Sequence, residues 1–370
     1  MLNKIIIAPD SFKGSLSAKQ VADIIADEVL KRFPNCEIIK MPIADGGEGT
    51  VDTVISAVGG KMYEAKVVSP DERIISAEFG VTPTDLAVLE MAQSSGLTKQ
   101  IGLHPMTSNT YGFGQLITAA LNLGIREFMM GIGGSATTDG GTGMAAALGV
   151  KFFDDENNSF VPCGETLSKI ARIDVSGIDE RISKSTFTVM CDVDNPLFGT
   201  NGAAYIYGPQ KGATPELVVI LDNGLRHYGN ILAKTFGVDY SEIPAAGASG
   251  GLGAGCMAYL NATLRSGIEV ILEICGFKNH LSDSDLIITG EGKLDSQSFM
   301  GKVLWGILRD AGDVPVVSIC GKKDYDESSF ECHNLTIFEI SEGISIEESM
   351  NATEKYLRLT TQRFLSERYG

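Results

Sequence analysis

Ile5-Ile6-Ile7-Ala8 is a continuous apolar run, the pattern of a strand buried on both faces. After the loop Pro9–Gly14, Ser17 and Gln20 have capping-box spacing. Val21, Ile24, Ile25, Val29 and Phe33 then recur at helical period until Pro34 stops the run. Ile38-Ile39-Lys40-Met41 restarts a strand, so the chain opens as a βαβ unit of a parallel sheet. Tyr63–Val68, Ile74–Val81 and Leu86–Met91 follow with turns between them and no room for crossover helices. Antiparallel or mixed pairing is expected there. Phe128–Ile132 and Phe187–Cys191 are further strand candidates, and the Gly-rich junctions Gly131–Gly143 and Gly247–Gly255 lead into small-residue helices. Near residue 283 the alternation returns: Leu286–Ile288, Val314–Ile319 and Leu335–Ile340 are strand-like, with helical spacing around Val303–Leu308. Ser345 and Glu348 repeat the capping-box spacing before a final helix carrying Met350, Leu357 and Phe364.

This order predicts an α/β protein with a discontinuous Rossmann-like domain, residues 1–60 and 283–370, whose two parts share one parallel sheet. Residues 61–282 would form an inserted α/β domain of mixed sheet, with the active site in the cleft between the domains. A length of 370 residues exceeds what one core usually serves, which agrees with two domains. The 43 glycines exceed the roughly 7% of an average chain and cluster, which favours tight loops where backbone approaches a ligand.

A net charge of −17 argues against nucleic-acid and anionic-membrane partners, both of which reward a basic patch. An acidic protein that handles polyphosphate must gather lysines, helix N-termini and a divalent metal locally. The apolar run at the N-terminus breaks at Pro9-Asp10, too short for a signal peptide, and no stretch approaches the ~18 apolar residues of a membrane helix. Seven cysteines without a C-x-x-C pair read as reduced thiols, hence a cytoplasmic location.

Ligands of open parallel sheets bind beyond the carboxyl ends of the strands. Three segments fall there: Pro9–Ser15, Ile43–Thr50 and Thr289–Asp295. Each joins a carboxylate to glycines and hydroxyl residues, and two carry a lysine, the parts that phosphoryl transfer requires. Taken singly, Lys13 reads first as a solvated loop charge, Asp45 equally as a helix cap, and Lys293 and Asp295 also as loop charges. Gly131–Gly143 could cradle phosphate at a helix N-terminus, although it lacks the Gly-Lys-Ser/Thr ending of a Walker A loop; close packing of small residues is the competing reading. Cys191–Gly199 ends a strand with Asp192, Asp194 and Asn195, an oxygen-rich set that suits Mg²⁺ or an Asx-turn before Pro196. The four histidines show no ligand spacing for zinc.

These segments together resemble the type I glycerate kinase family of bacteria. Ala8-Pro9-Asp10-Ser11-Phe12-Lys13-Gly14-Ser15 is the most specific piece. It is supported by Ala44–Thr50, Gly133–Thr137, Cys191–Leu197, Gly208-Pro209-Gln210-Lys211-Gly212-Ala213, Gly247–Gly255 and Thr289–Gly292, across nearly the whole chain. The resemblance implies a two-domain α/β kinase that uses ATP and Mg²⁺ to phosphorylate glycerate, usually to 2-phosphoglycerate. On the chemistry of that reaction, the expected catalytic residues are Lys13, Asp45 and Asp192. Lys13 would meet the transferring phosphoryl group or the substrate carboxylate, and Asp45 or Asp192 would act as base. Asp10, Ser11, Gly46, Gly47, Gly134, Ser135, Ala136, Asn195 and Lys293 are expected to bind substrate or nucleotide. Asp192, Glu291 and Asp295 are expected to reach the metal. A homodimer stays open. The rivals are a kinase for another small hydroxy acid or polyol, a ligand-sensing module, and a dehydrogenase, for which the first βα turn lacks G-x-G-x-x-G.

Overall fold

The computed structural model describes residues 2–43, 46–47, 49–299, 302–325 and 334–370. Its strands, in chain order, are β1 (Lys4–Ile7), β2 (Glu37–Lys40), β3 (Lys61–Val68), β4 (Ile74–Val81), β5 (Leu86–Glu90), β6 (Glu127–Gly131) and β7 (Lys151–Phe153). There follow β8 (Ser159–Phe160), β9 (Arg172–Asp174), β10 (Thr186–Met190), β11 (Thr263–Arg265), β12 (Leu286–Asp295), β13 (Val316–Asp324) and β14 (Leu335–Glu339). The chain divides into two compact units, residues 1–45, 52–59 and 266–370 in the first and 46–51 and 60–265 in the second. The first unit therefore resumes at 266, before the return at 283 read from the first apolar strand. The helices Gly267–Ile274 and Phe277–Leu281 precede that strand.

The first unit is built on a five-stranded sheet in the order β14-β13-β12-β1-β2, with every pair parallel. All four residues of β1 are buried, as its unbroken apolar run requires. One face is covered by the helices Ala18–Arg32 and Thr353–Tyr369, whose Val21, Ile25, Val29, Leu357 and Phe364 pack with Ile5, Ile7, Ile288 and Ile319. The first of these helices has the expected capping box: Ser17 Oγ accepts from Gln20 N and the Gln20 side chain accepts from Ser17 N. Ser345 caps as well, but only the short helix Ile346–Asn351; the chain breaks at Ala352 (φ −131°) before Thr353–Tyr369 begins. The single final helix expected from sequence is thus two, because the capping signal reports where a helix starts and not where it stops.

The second unit has a six-stranded mixed sheet in the order β11-β10-β6-β5-β4-β3. β5, β6, β10 and β11 are parallel, while β3 and β4 add antiparallel pairs at one edge. A second, three-stranded antiparallel sheet, β8-β7-β9, has strands of two or three residues, too short to leave a periodic pattern in the sequence. The helix Pro215–Phe236 starts at Thr214, whose side chain accepts from Leu217 N, with Pro215 in the first turn. It buries Leu221, Leu225, Tyr228 and Leu232 in the core of this unit. Among the described residues no helix is long and apolar enough to cross a membrane.

Candidate active site

In the first unit, the loop after β1 runs beside the end of β12. Ala8 N donates to Ile288 O at 2.8 Å and Asp10 N to Gly290 O at 2.7 Å, which carries the ladder past the strand. Thr289 Oγ1 donates to Ala8 O at 2.8 Å. A Cβ on Gly292 would stand 3.3 Å from Lys13 N and Phe12 Cα, so the loop after β1 lies against β12, which continues to Asp295 through the segment expected to follow the strand. Asp10, Ser11 and Lys13 are thereby brought to the same strand ends as Glu291. The Asp10 carboxylate accepts from Ser11 N at 2.6 Å, and the Lys13 side chain is exposed.

Glu291 is buried and accepts from Ser298 Oγ at 2.9 Å. Burial pushes its pKa up to about 7, and the charges of Asp10 and Asp295 push the same way, against the Ser298 hydrogen bond and Lys302. Mutual repulsion among Asp10, Glu291 and Asp295 is what a cation would relieve. Among the described residues no three His, Cys, Asp or Glu side chains are grouped closely enough to hold a metal ion by themselves. Mg²⁺ needs only one or two carboxylates from a protein, the rest of its shell being phosphate oxygens and waters. Lys293 lies further out. It pairs with Asp324 at 2.6 Å, both side chains about half exposed, on the neighbouring strand β13.

In the second unit, β5, β6 and β10 end in register at Glu90, Gly131 and Met190. Segment 46–51 belongs here. Gly133 N donates to Gly46 O at 3.2 Å, and a Cβ on Gly133 would fall 2.9 Å from Gly47 Cα, closer than real Cβ contacts come. Glycine at 133 is therefore a requirement of close backbone approach. Glu90, buried at the end of β5, accepts from Gly49 N at 3.2 Å and Val51 N at 2.6 Å, which anchors the start of the helix Thr50–Val58. Gly46 and Gly47 are thus joined to the loop holding Gly134, Ser135 and Ala136 in the second unit, whereas the sequence reading sets Ile43–Thr50 on one rim with Pro9–Ser15 and Thr289–Asp295. Asp45 lies outside the described residues.

Two more segments close on this loop. Gly140 N donates to Gly250 O at 3.0 Å, Ser249 Oγ donates to Ile132 O, and Gly247 N donates to Asn195 O at 2.9 Å. Ser249, Gly250 and Gly251 all have positive φ, so regular helix begins only after them. Gly250 (φ +72°) also presses on Thr137 O, where a Cβ would stand 2.0 Å away. Asn195 is engaged within the protein: its Nδ2 donates to Asn201 O at 2.8 Å and its Oδ1 accepts from Tyr207 OH at 2.6 Å. Asp192, two residues past β10, is exposed.

Behind the loop sit two buried charges that the sequence did not single out. Asp139 accepts from Thr110 N, Thr110 Oγ1, Gly141 N and Gly143 N at 2.8–3.2 Å, while burial pushes its pKa up. Lys211 donates to Ser135 Oγ at 2.8 Å and Thr137 O at 2.5 Å. Both residues stand in segments whose Gly-rich character was legible; their burial, which marks them out, was not.

Parallel strands followed by Gly-rich loops place this chain among the α/β proteins whose ligands bind at strand ends. A family model described as the glycerate kinase family matches residues 5–367. A glycerate kinase of Bacillus subtilis (strain 168) is 41% identical over 366 residues, covering 97% of this chain and 96% of its own length. Glycerate 2-kinase of Escherichia coli (strain K12) is 42% identical over 347 residues, 92% of this chain and 91% of its own. A crystal structure of a Salmonella typhimurium LT2 protein assigned as glycerate kinase 2 superposes with a TM-score of 0.86 at 37% identity, covering 99% of this chain and 98% of that one. The chain belongs to the glycerate kinase family and is an enzyme of the kinase class.

Proposed function

We propose that this protein transfers the γ-phosphoryl group of ATP, with Mg²⁺, to the 2-hydroxyl of glycerate, giving 2-phosphoglycerate in the cytoplasm. The observation that carries this reading is the 42% identity to the Escherichia coli protein named glycerate 2-kinase across nearly all of both chains. The six described cysteines are free, in keeping with a reducing compartment.

Glycerate offers a carboxylate and two hydroxyls, so an enzyme must fix the first, align one of the second and offset the charge that develops on the phosphoryl oxygens. Lys13, exposed at the end of β1, is the cation for the transferring group or the substrate carboxylate. Asp10 and Ser11 bind beside it. Glu291, with Asp295, holds the metal; Mg²⁺ supplies the positive charge that neutralises polyphosphate oxygens. In the second unit Gly46, Gly47, Gly134, Ser135 and Ala136 present backbone and hydroxyl donors to ligand oxygens. Asp192 is the candidate base or a metal contact, and Asp45 the alternative base. Asn195 supports the loop of Asp192 through its own protein hydrogen bonds, and Lys293 adds positive potential at the rim.

Incubation with D-glycerate, ATP and Mg²⁺, followed by NMR of the product, tests the reading. Phosphorus attached at the 2-position and loss of turnover on chelation are expected. A 3-phosphorylated product, or ATP consumption only with a different hydroxy acid, would overturn it.

A further inference from the structure

Lys211 is 1% exposed, and its ammonium holds the Gly133–Thr137 loop from the protein side. Nζ spans Ala136, with Ser135 Oγ at 2.8 Å on one side and Thr137 O at 2.5 Å on the other. An ammonium has three donors and no acceptor. Ser135 Oγ must therefore accept from it, and the hydroxyl proton of Ser135 is turned away from Lys211. On the same loop the buried hydroxyls of Thr137 and Thr138 have no hydrogen-bond partner among the described residues. Such a group is costly unless something else satisfies it.

We propose that Lys211 is a positioning residue that acts through Ser135, fixing its hydroxyl as a donor to an anionic oxygen of the bound ligand, a carboxylate or a phosphate. This rests on the kinase reading of the loop. Its consequence is a built-in pH dependence. Burial pulls Lys211 down to about 7, with Asp139, the titratable group whose charge reaches it, pulling the other way. Asp139 is itself pushed up by burial. Below neutrality the ammonium imposes the outward donor. Above it the neutral amine gains a lone pair that can take the Ser135 proton, and the ligand loses a hydrogen bond.

A double-mutant cycle tests the proposal: wild type, Ser135→Ala, Lys211→Met and the double variant, with KM for glycerate and for ATP measured separately from pH 6 to 9. Each single variant is expected to raise one of the two KM values by about 10-fold, the loss of one hydrogen bond to a charged ligand. The ligand affected identifies the source of the oxygen. The double variant should be no worse than the poorer single one. Wild-type KM should rise above neutral pH, and that break should vanish in Ser135→Ala, where Lys211 still titrates but has no hydroxyl to direct. Effects that multiply, or a break that survives in Ser135→Ala, would overturn the proposal. If Lys211→Met does not fold, the pH profile of Ser135→Ala decides alone. If the wild type does not phosphorylate glycerate, the kinase reading fails separately. Amide hydrogen exchange of residues 134–138 then judges the positioning, since Lys211→Met must accelerate it in a folded variant and unchanged protection sinks the role.

Discussion

The loops at the strand ends of the two units are assembled on different physical terms. In the second unit three charged groups are buried and hydrogen-bonded, Asp192 being the exposed one: Glu90 holds Gly49 N and Val51 N, Asp139 gathers four donors, and Lys211 grips Ser135 and Thr137. In the first unit Lys13 is exposed and Lys293 pairs with Asp324 near solvent; among the described residues expected there, Glu291 alone is buried. The lesson is that one protein separates two tasks. Buried charges with full hydrogen-bond complements set backbone geometry, because breaking them leaves orphaned donors in low dielectric. Exposed charges cost little stability to keep and remain available to a ligand.

The widest gap between the two arrangements should appear on removing Asp139. Asp139→Ala strands four donors and should cost about 3–5 kcal/mol, the scale for breaking a buried charged network, read as a loss of denaturation free energy. A variant as stable as wild type would mean that the loop does not depend on its buried charge. Lys13→Ala should do the reverse, lowering kcat by ~100-fold while the melting temperature stays put. Near-normal turnover would remove Lys13 from the site and blur the division of tasks.

Glu291 is the intermediate case, a buried carboxyl among exposed lysines and half-buried aspartates. Its folded pKa of about 7 lies above the ordinary carboxyl value of 4.5, so the native state binds the proton more tightly than the unfolded chain. The stabilisation is present below about 4.5 and lost as pH rises through about 7. In metal-free, nucleotide-free protein, denaturation should therefore reveal a decline on the order of 2–3 kcal/mol over that window. Glu291→Gln should flatten it; an unaltered slope would assign the titration elsewhere. The smallest effect belongs to Lys293→Ala, with no measurable change in stability and a loss of turnover smaller than that of Lys13→Ala. A larger loss would transfer the main cationic role from Lys13 to Lys293.

Much of the fold could be read before the structure. Ile5–Ala8 and Leu286–Ile288 are unbroken apolar runs because strands covered on both faces have no solvent side to write as polar. The β3–β4–β5 succession was legible because crossover helices need residues that are absent between those runs. The three-stranded sheet β8-β7-β9 was not, since two or three residues carry no period. Nor was the stop at Ala352, since no glycine or proline marks it. Among candidate site residues, Asp10, Lys13, Gly46, Ser135 and Glu291 were proposed from chemistry-bearing types and glycines near strand ends. Glu90, Asp139 and Lys211 were not, because each resembles an ordinary charge until its surroundings are known. Asn195 and Lys293 carried the right chemistry for ligand binding, and the structure engages both side chains with protein partners.

By itself the sequence determined the alternation of elements, the parallel sheet shared by the N- and C-terminal parts and the Gly-rich loops, because hydrophobic period and glycine content act locally. Tertiary structure alone decided which loops meet, which charges are enclosed and what each enclosed charge holds. Burial and hydrogen-bond partnership depend on residues tens to hundreds of positions apart, as Lys211 and Ser135 do, and no local pattern records that distance.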